Sequence, residues 1–160
     1  MKENSIRVRF APSPTGFLHI GGLRTALYNY LYAKKQNGKI VLRIEDTDRK
    51  RFVEGAVDNL IETIDWAGIA FDEGPRIGGD FGPYFQSERL NIYSEQSSKL
   101  IAAGKAYYCF CTPERLEKLR DEQKKLKLPQ LKYDKHCLSL RKDEIEKNIN
   151  SNIYYVIRVN

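Results

Sequence analysis

Residues 9–22 read RFAPSPTGFLHIGG and hold the first set of side chains with chemical potential. Pro12 and Pro14 stiffen the chain and remove two donors, while Gly16, Gly21 and Gly22 let the main chain approach a ligand closely. His19 stands just ahead of a helical pattern. A helix start there presents free N–H groups and a partial positive charge, which suits phosphate oxygens, and an imidazole can add a donor to the same anion. The spacing is not that of a P-loop, because no Gly-Lys-Ser or Gly-Lys-Thr follows, and it is not Gly-x-Gly-x-x-Gly.

A second set is charged. Arg9 ends the first predicted strand, at the edge where open α/β sheets hold ligands, and a guanidinium there can clamp a carboxylate through two parallel hydrogen bonds. Glu45, Asp46 and Asp48 cluster just past the next predicted strand. Three acids at that edge can take Mg²⁺ or an ammonium; alternatively Asp46 and Asp48 cap the turn and pair with Arg49 and Arg51. Glu45 is the preferred partner for an ammonium.

The third set is sulfur. Cys109, Cys111 and Cys137 are the only cysteines, an odd number that disfavours a disulfide framework and points toward a metal. Cys-x-Cys at a strand end, with a third thiol 26 residues beyond, has zinc character without being the common knuckle. Tyr133 and His136 are the candidates for a fourth ligand. Tyr133 is assigned, because His136 adjoins Cys137 and would strain the chelate.

These groups need elements to place them. Ile6, Val8 and Phe10 alternate as in a strand, and Leu23, Ala26, Leu27, Tyr30 and Leu31 share one face of a helix over 22–35. Residues 40–44 are nearly all apolar, as in a strand covered on both faces. Strand, helix and strand make a βαβ unit with a parallel sheet. Val53, Val57, Leu60, Ile61 and Ile64 predict a second helix closed near Gly68. Residues 71–83, with four Gly and two Pro, predict an irregular loop. A third helix carries Leu90, Tyr93, Ser97, Leu100 and Ile101 and stops at Gly104. The aromatic strand AYYCFC (106–111) follows, then a Glu/Lys-rich helix opened by Thr112 and Pro113, a polar stretch over 141–150, and a last strand over 153–159.

The chain has 160 residues, enough for one ordinary core and a small appendage. It has no run of 18 apolar residues and no signal-peptide pattern, so a cytoplasmic, non-membrane location is expected. Basic residues outnumber acidic by 27 to 21, and residues 111–160 hold 12 of the basic and 8 of the acidic ones. A polyanion partner would meet the C-terminal third first.

The run RFAPSPTGFLHIGGLRTALYN with LRIEDTDRKR (42–51) closely resembles glutamyl-tRNA synthetases, His19-Ile20-Gly21-Gly22 matching the first signature of class I aminoacyl-tRNA synthetases. The broad pattern has His as its fourth residue; Gly22 is a departure that the glutamate-specific branch shares. DEGP (72–75), YFQSER (84–89) and AYYCFCTPE (106–114) extend the resemblance over nearly the whole chain. It implies a Rossmann-type α/β fold, with residues 1–104 the first half of the catalytic domain and 105–160 the start of a smaller α+β acceptor-binding insertion.

The implied activity is ATP-dependent ligation of L-glutamate to tRNA(Glu) by a monomer, with Mg²⁺ assisting. By resemblance, Arg9 contacts the side-chain carboxylate of glutamate, Ser13 supplies a hydroxyl and Glu45 pairs with the α-ammonium. Thr15, His19, Gly21 and Gly22 bind ATP, the last three acting in catalysis. Cys109, Cys111, Tyr133 and Cys137 match a zinc-binding segment of some members, in which the fourth ligand varies. The resembled enzymes continue for several hundred residues with a second, lysine-containing signature, so the 160 residues alone are expected to be inactive. Two rivals stand beside this reading: the related enzyme that glutamylates a modified base in tRNA(Asp), and a non-catalytic tRNA-binding fragment. Tyr84, Phe85 and Arg89 receive no site role.

Overall fold

The computed structural model describes residues 6–160. Its elements are β1 (Arg7–Phe10), α1 (Ile20–Lys35), β2 (Lys39–Leu42), α2 (Ala56–Trp66), α3 (Leu90–Ala102), β3 (Ala106–Cys109), α4 (Pro113–Lys125), α5 (Lys142–Asn150) and β4 (Val156–Val159). The chain divides into two compact units between Asn91 and Ile92.

In the first unit β1 and β2 pair in parallel, Arg7 opposite Lys39 and Phe10 opposite Leu42, with α1 as the crossover. This is the expected Rossmann-type βαβ arrangement. The ladder runs on past both strands: the Arg43 amide donates to the Phe10 carbonyl (3.1 Å) and the Glu45 amide to the Pro12 carbonyl (2.8 Å). Those two bonds bring the first loop and the acidic turn side by side at one sheet edge.

One face of the pair is apolar. Phe10, Leu42 and Ile44 form the core with Ala26, Leu60, Ile64 and Ile69, and Leu23 and Tyr30 pack against it. Burying each large aliphatic side chain stabilises the unit by about 1.5–3 kcal/mol. Residues 23, 26, 30 and 33 make a narrower stripe than predicted; Leu27 and Leu31 lie on the flank of α1 and are exposed. The helix that begins the Val53 pattern starts later, at Ala56, because Gly55 takes a left-handed conformation (φ 76°) that breaks the turn before it.

Residues 71–83 form no regular element, as their Gly and Pro content predicts, yet the segment through residue 86 is anchored to the sheet. Leu42 donates to the Glu73 carbonyl (2.9 Å) and Ile44 to the Tyr84 carbonyl (2.9 Å), so the segment lies along the second edge of β2 through isolated bridges. Glu73, buried, accepts from the Tyr84 hydroxyl (2.6 Å) and pairs with Arg7. A buried carboxylate left unpaired would be costly, and this one is held by two donors.

In the second unit β3 and β4 pair antiparallel, Tyr107 opposite Arg158 and Cys109 opposite Val156. The predicted strand over 106–111 ends early, at Cys109, because Thr112 caps α4 by accepting from the Arg115 amide and turns the chain away. The core here is small: Tyr107, Cys109 and Cys137, with Cys111, Tyr133 and Leu140 partly buried against them. Residues 127–140 contain only a short 3-10 turn, His136–Ser139. They are tied to α4 by reciprocal Gln123–Lys132 hydrogen bonds (2.7 and 3.0 Å) and by a forked Arg115–Asp134 pair.

Candidate active site and metal centre

His19 is the N-cap of α1. Its Nδ1 accepts from the Gly21 amide at 3.1 Å, while the Gly22 and Leu23 amides donate to the His19 carbonyl. A ring nitrogen that accepts is unprotonated, so the neutral imidazole carries its proton on Nε2, available to an anion. A Cβ on residue 21 would stand 2.8 Å from His19 Cε1, so only glycine leaves room for this cap. In this state the Gly21 and Gly22 amides are occupied within the cap itself.

The loop before the helix is fixed from below. The Leu18 amide donates to the Asn59 side chain (3.2 Å) on α2, and the Val53 amide to the Pro14 carbonyl (3.0 Å). Ser13, Thr15, His19 and Gly22 thereby line one cleft of about 320 Å³, floored by Phe10 and Leu60.

Arg9 and Glu45 meet on the sheet face opposite the core. Strand alternation puts Val41, Arg43 and Glu45 on one side, and Arg9 pairs with Val41 on the same side. Arg9 Nη2 lies 3.7 Å from Glu45 Oε1, and Arg43 Nη2 lies 3.2 Å from the same oxygen. Arg7, Arg9, Arg43 and Arg89 line a cavity of about 400 Å³ with Phe81 and Tyr84, and Arg7 stacks its guanidinium over Phe81.

The other two acids of the turn have protein partners. Asp46 accepts from both the amide (2.8 Å) and the hydroxyl (2.6 Å) of Ser87. Asp48 accepts from Arg51 through side chain (2.7 Å) and backbone (3.3 Å), and that bond holds its carboxyl below the usual range. Asp48 thus makes the Arg51 pairing that the sequence offered, while Asp46 joins Ser87 instead of an arginine.

Sulfur chemistry gathers in the second unit. The Cys109, Cys111 and Cys137 Sγ atoms lie within 4.8 Å of one another, Cys111 and Cys137 at 3.5 Å. The Tyr133 hydroxyl is 3.2 Å from both Cys109 and Cys111. Thiolates around zinc at about 2.3 Å stand ~3.8 Å apart, so these donors occupy nearly the positions of a tetrahedral site. His136 is exposed.

Protons are shared unevenly in this cluster. Burial pushes the Cys109 thiol up, but hydrogen bonds from Tyr133 and Arg158 outweigh it and bring the group down to about 7. Burial, with Cys137 and Cys109 as neighbours, pushes Cys111 up to about 11 against the Tyr133 bond. The Tyr133 phenol is driven upward by burial and by the adjacent sulfurs. The Cys109 thiol is thus poised to ionise beside the Cys111 thiol and the Tyr133 phenol, which resist, an arrangement that a dication would relieve.

Four contributors went unrecognised in the sequence. Arg43 was hidden in an apolar-looking strand, although its spacing of two from Glu45 places it on that residue's face. Ser87 and Glu73 reach their partners from 41 and 66 residues away, with no local signal. Arg158, stacked over Tyr133 at 4.2 Å, comes from β4.

A parallel βαβ unit whose helix opens on His19-Ile20-Gly21-Gly22, with a charged strand edge beside it, defines a class I aminoacyl-tRNA synthetase core. The chain belongs to the family described as tRNA synthetases class I (E and Q), catalytic domain, which matches residues 5–160. It is similar to the glutamate–tRNA ligase of Clostridium tetani, 59% identical over 160 residues, covering 100% of this chain and 33% of that protein. The glutamate–tRNA ligase of Clostridioides difficile is 53% identical over 163 residues, covering 97% of this chain and 33% of its own. Among solved structures, a glutamate tRNA ligase from Elizabethkingia meningosepticum in complex with its amino acid superposes with a TM-score of 0.88 at 41% identity, covering 98% of this chain and 32% of that one. The chain therefore spans about a third of the length of the curated relatives it matches. Among the described residues no helix is long and apolar enough to cross a membrane.

Proposed function

We propose that this chain is the N-terminal part of a glutamate–tRNA ligase, a cytoplasmic monomer that activates L-glutamate with ATP and esterifies it to the 3′ end of tRNA(Glu). Residues 1–104 supply the first half of its catalytic domain and residues 105–160 open the acceptor-binding insertion. The observation that carries this reading is the meeting of Arg9 and Glu45 at the end of adjacent parallel strands, which sets a group for a carboxylate and a group for an ammonium at one sheet edge. Arg9 takes the side-chain carboxylate, Ser13 adds a hydroxyl and Glu45 takes the α-ammonium.

Thr15, His19, Gly21 and Gly22 line or border the place for the ATP phosphates. One oxygen of the substrate α-carboxylate attacks the α-phosphorus, an O–P bond forms, and the bond to pyrophosphate breaks. No proton need move, so catalysis is positioning plus charge stabilisation, with Mg²⁺ neutralising the phosphates. His19 donates from Nε2 to the charge that develops there.

Zinc completes the second unit in this reading. Cys109, Cys111, Cys137 and Tyr133 would hold it, and with four protein ligands the site is structural. A core of three buried side chains does little to order residues 127–140, so a bound ion would supply what packing does not.

ATP–pyrophosphate exchange by the complete enzyme tests the reading. Exchange should depend on L-glutamate and not on L-glutamine or L-aspartate. Arg9→Ala should weaken L-glutamate by about 1.5–3 kcal/mol, the worth of hydrogen bonds to a charged group, without a matching loss for L-glutamine. Exchange supported equally by glutamine, or equal losses for both amino acids, would sink the assignment.

A further inference from the structure

Glu45 has one oxygen held and the other free. Arg43 donates to Oε1 at 3.2 Å, and Arg9 approaches the same oxygen at 3.7 Å, an ion pair too long for a good hydrogen bond. Among the described residues, no donor is recorded on Oε2. An ionised carboxylate has about four lone-pair sites, so Oε2 keeps its acceptor capacity at the rim of the cavity.

The two guanidiniums differ in how firmly they are placed. The Arg43 side chain is 19% exposed and that of Arg9 46%. Arg43 Nε is buried without a partner among the described residues, so the Nη2 bond to Glu45 is the directed contact that orients this fork. The backbone of both residues is fixed, since Arg43 and Glu45 extend the parallel ladder to Phe10 and Pro12. What remains free in Glu45 is its side-chain torsions, and the Arg43 contact removes them.

We propose that Arg43 is a positioning residue for amino-acid recognition: by holding Oε1 of Glu45 it presents Oε2 to the α-ammonium of the substrate, while Arg9 keeps its donors for the side-chain carboxylate. This rests on the reading of Glu45 as the ammonium's partner. In this role Arg43 acts on the substrate through Glu45. Its effect should therefore be confined to ligands that carry the ammonium.

Glutarate, which keeps both carboxylates of glutamate and lacks the ammonium, separates the two effects. In the complete enzyme, Arg43→Gln should weaken L-glutamate roughly 10-fold, within the range of coupling between contacting residues, while the inhibition constant of glutarate and the KM for ATP change less than about 2-fold. Glu45→Gln should show the same selective loss, and the double variant should be no worse than Glu45→Gln alone. Arg43→Lys, which keeps a cation near Oε1, should retain most of the preference for L-glutamate over glutarate. It also carries the test should Arg43→Gln fail to fold, a preference as low as that of Glu45→Gln then overturning the proposal. Equal loss of both ligands in Arg43→Gln, or no loss of either, overturns it as well. If Glu45→Gln itself leaves the preference intact, the reading of Glu45 fails, which is a different result.

Discussion

His19 Nδ1 stands 3.1 Å from the amide nitrogen of Gly21, and a side chain at residue 21 would collide with the ring that makes this contact. The imidazole is thus both the cap of α1 and the holder of a proton on Nε2. His19→Ala should lower pyrophosphate exchange by roughly 10² to 10³ with little change in the KM for ATP. Asparagine can cap a helix and lacks the Nε2 donor, so His19→Asn should keep the melting temperature and still lose exchange. Gly21→Ala should reproduce much of the loss by displacing the ring. A folded His19→Ala enzyme with unchanged exchange would remove the residue from the mechanism.

Protein prepared without added zinc should contain about one equivalent of the metal by elemental analysis, and Cys109→Ser should abolish it. Removing the ion with a chelator should lower the melting temperature and release residues 127–140, seen as faster amide exchange there. Tyr133→Phe takes one oxygen from the set and should weaken retention without abolishing it. A metal-free preparation in which residues 127–140 remain protected would refute the assignment.

Asp46 binds Ser87 through two hydrogen bonds, so its work is to join the acidic turn to the segment before α3. Asp46→Asn should cost about 1–3 kcal/mol in denaturant unfolding, the range for disturbing a partly buried charged hydrogen bond. The dependence of exchange on Mg²⁺ should be unaltered. A shift in the Mg²⁺ requirement would mean that Asp46 serves the metal.

The hydrogen bond from Arg115 holds the Asp134 carboxyl below its ordinary range. A carboxyl depressed in the folded state adds stability above its unfolded value, near ~3.9, and that contribution is lost as pH falls through the folded value. Both side chains are about a third exposed, so the effect should stay under about 1 kcal/mol. NMR titration should find the Asp134 midpoint below that of an ordinary aspartate, and Arg115→Gln should return it to the ordinary range.

Much of this arrangement could be read in the residues. Alternation at Ile6, Val8 and Phe10 and the stripe through Leu23, Ala26 and Tyr30 imply the βαβ unit, because each period reports which face is buried. Cys109, Cys111 and Cys137 pointed to a cluster because an odd set of thiols, two of them spaced Cys-x-Cys at a strand end, suits a metal better than a disulfide framework. Legibility failed where partners are distant in sequence. Nothing near Asp46 announces Ser87, and the irregular loop read over residues 71–83 gave no sign of its attachment to β2, because single bridges need no periodic pattern. Arg43 was overlooked for another reason: an apolar run was read as covered on both faces, when one of its faces carries Arg9, Arg43 and Glu45.

The pairing of Tyr107 with Arg158 sets an order of events during synthesis. Cys109 leaves the ribosome about 50 residues before the strand that carries Arg158. At typical elongation rates of about 5–20 residues per second, roughly 2–10 s pass before β4 can form beside β3. Through that interval Cys109 lacks the guanidinium that lowers it, and the third thiol, Cys137, arrives only midway. The sulfurs thus come together on an open chain, and the last strand closes over whatever state they have reached.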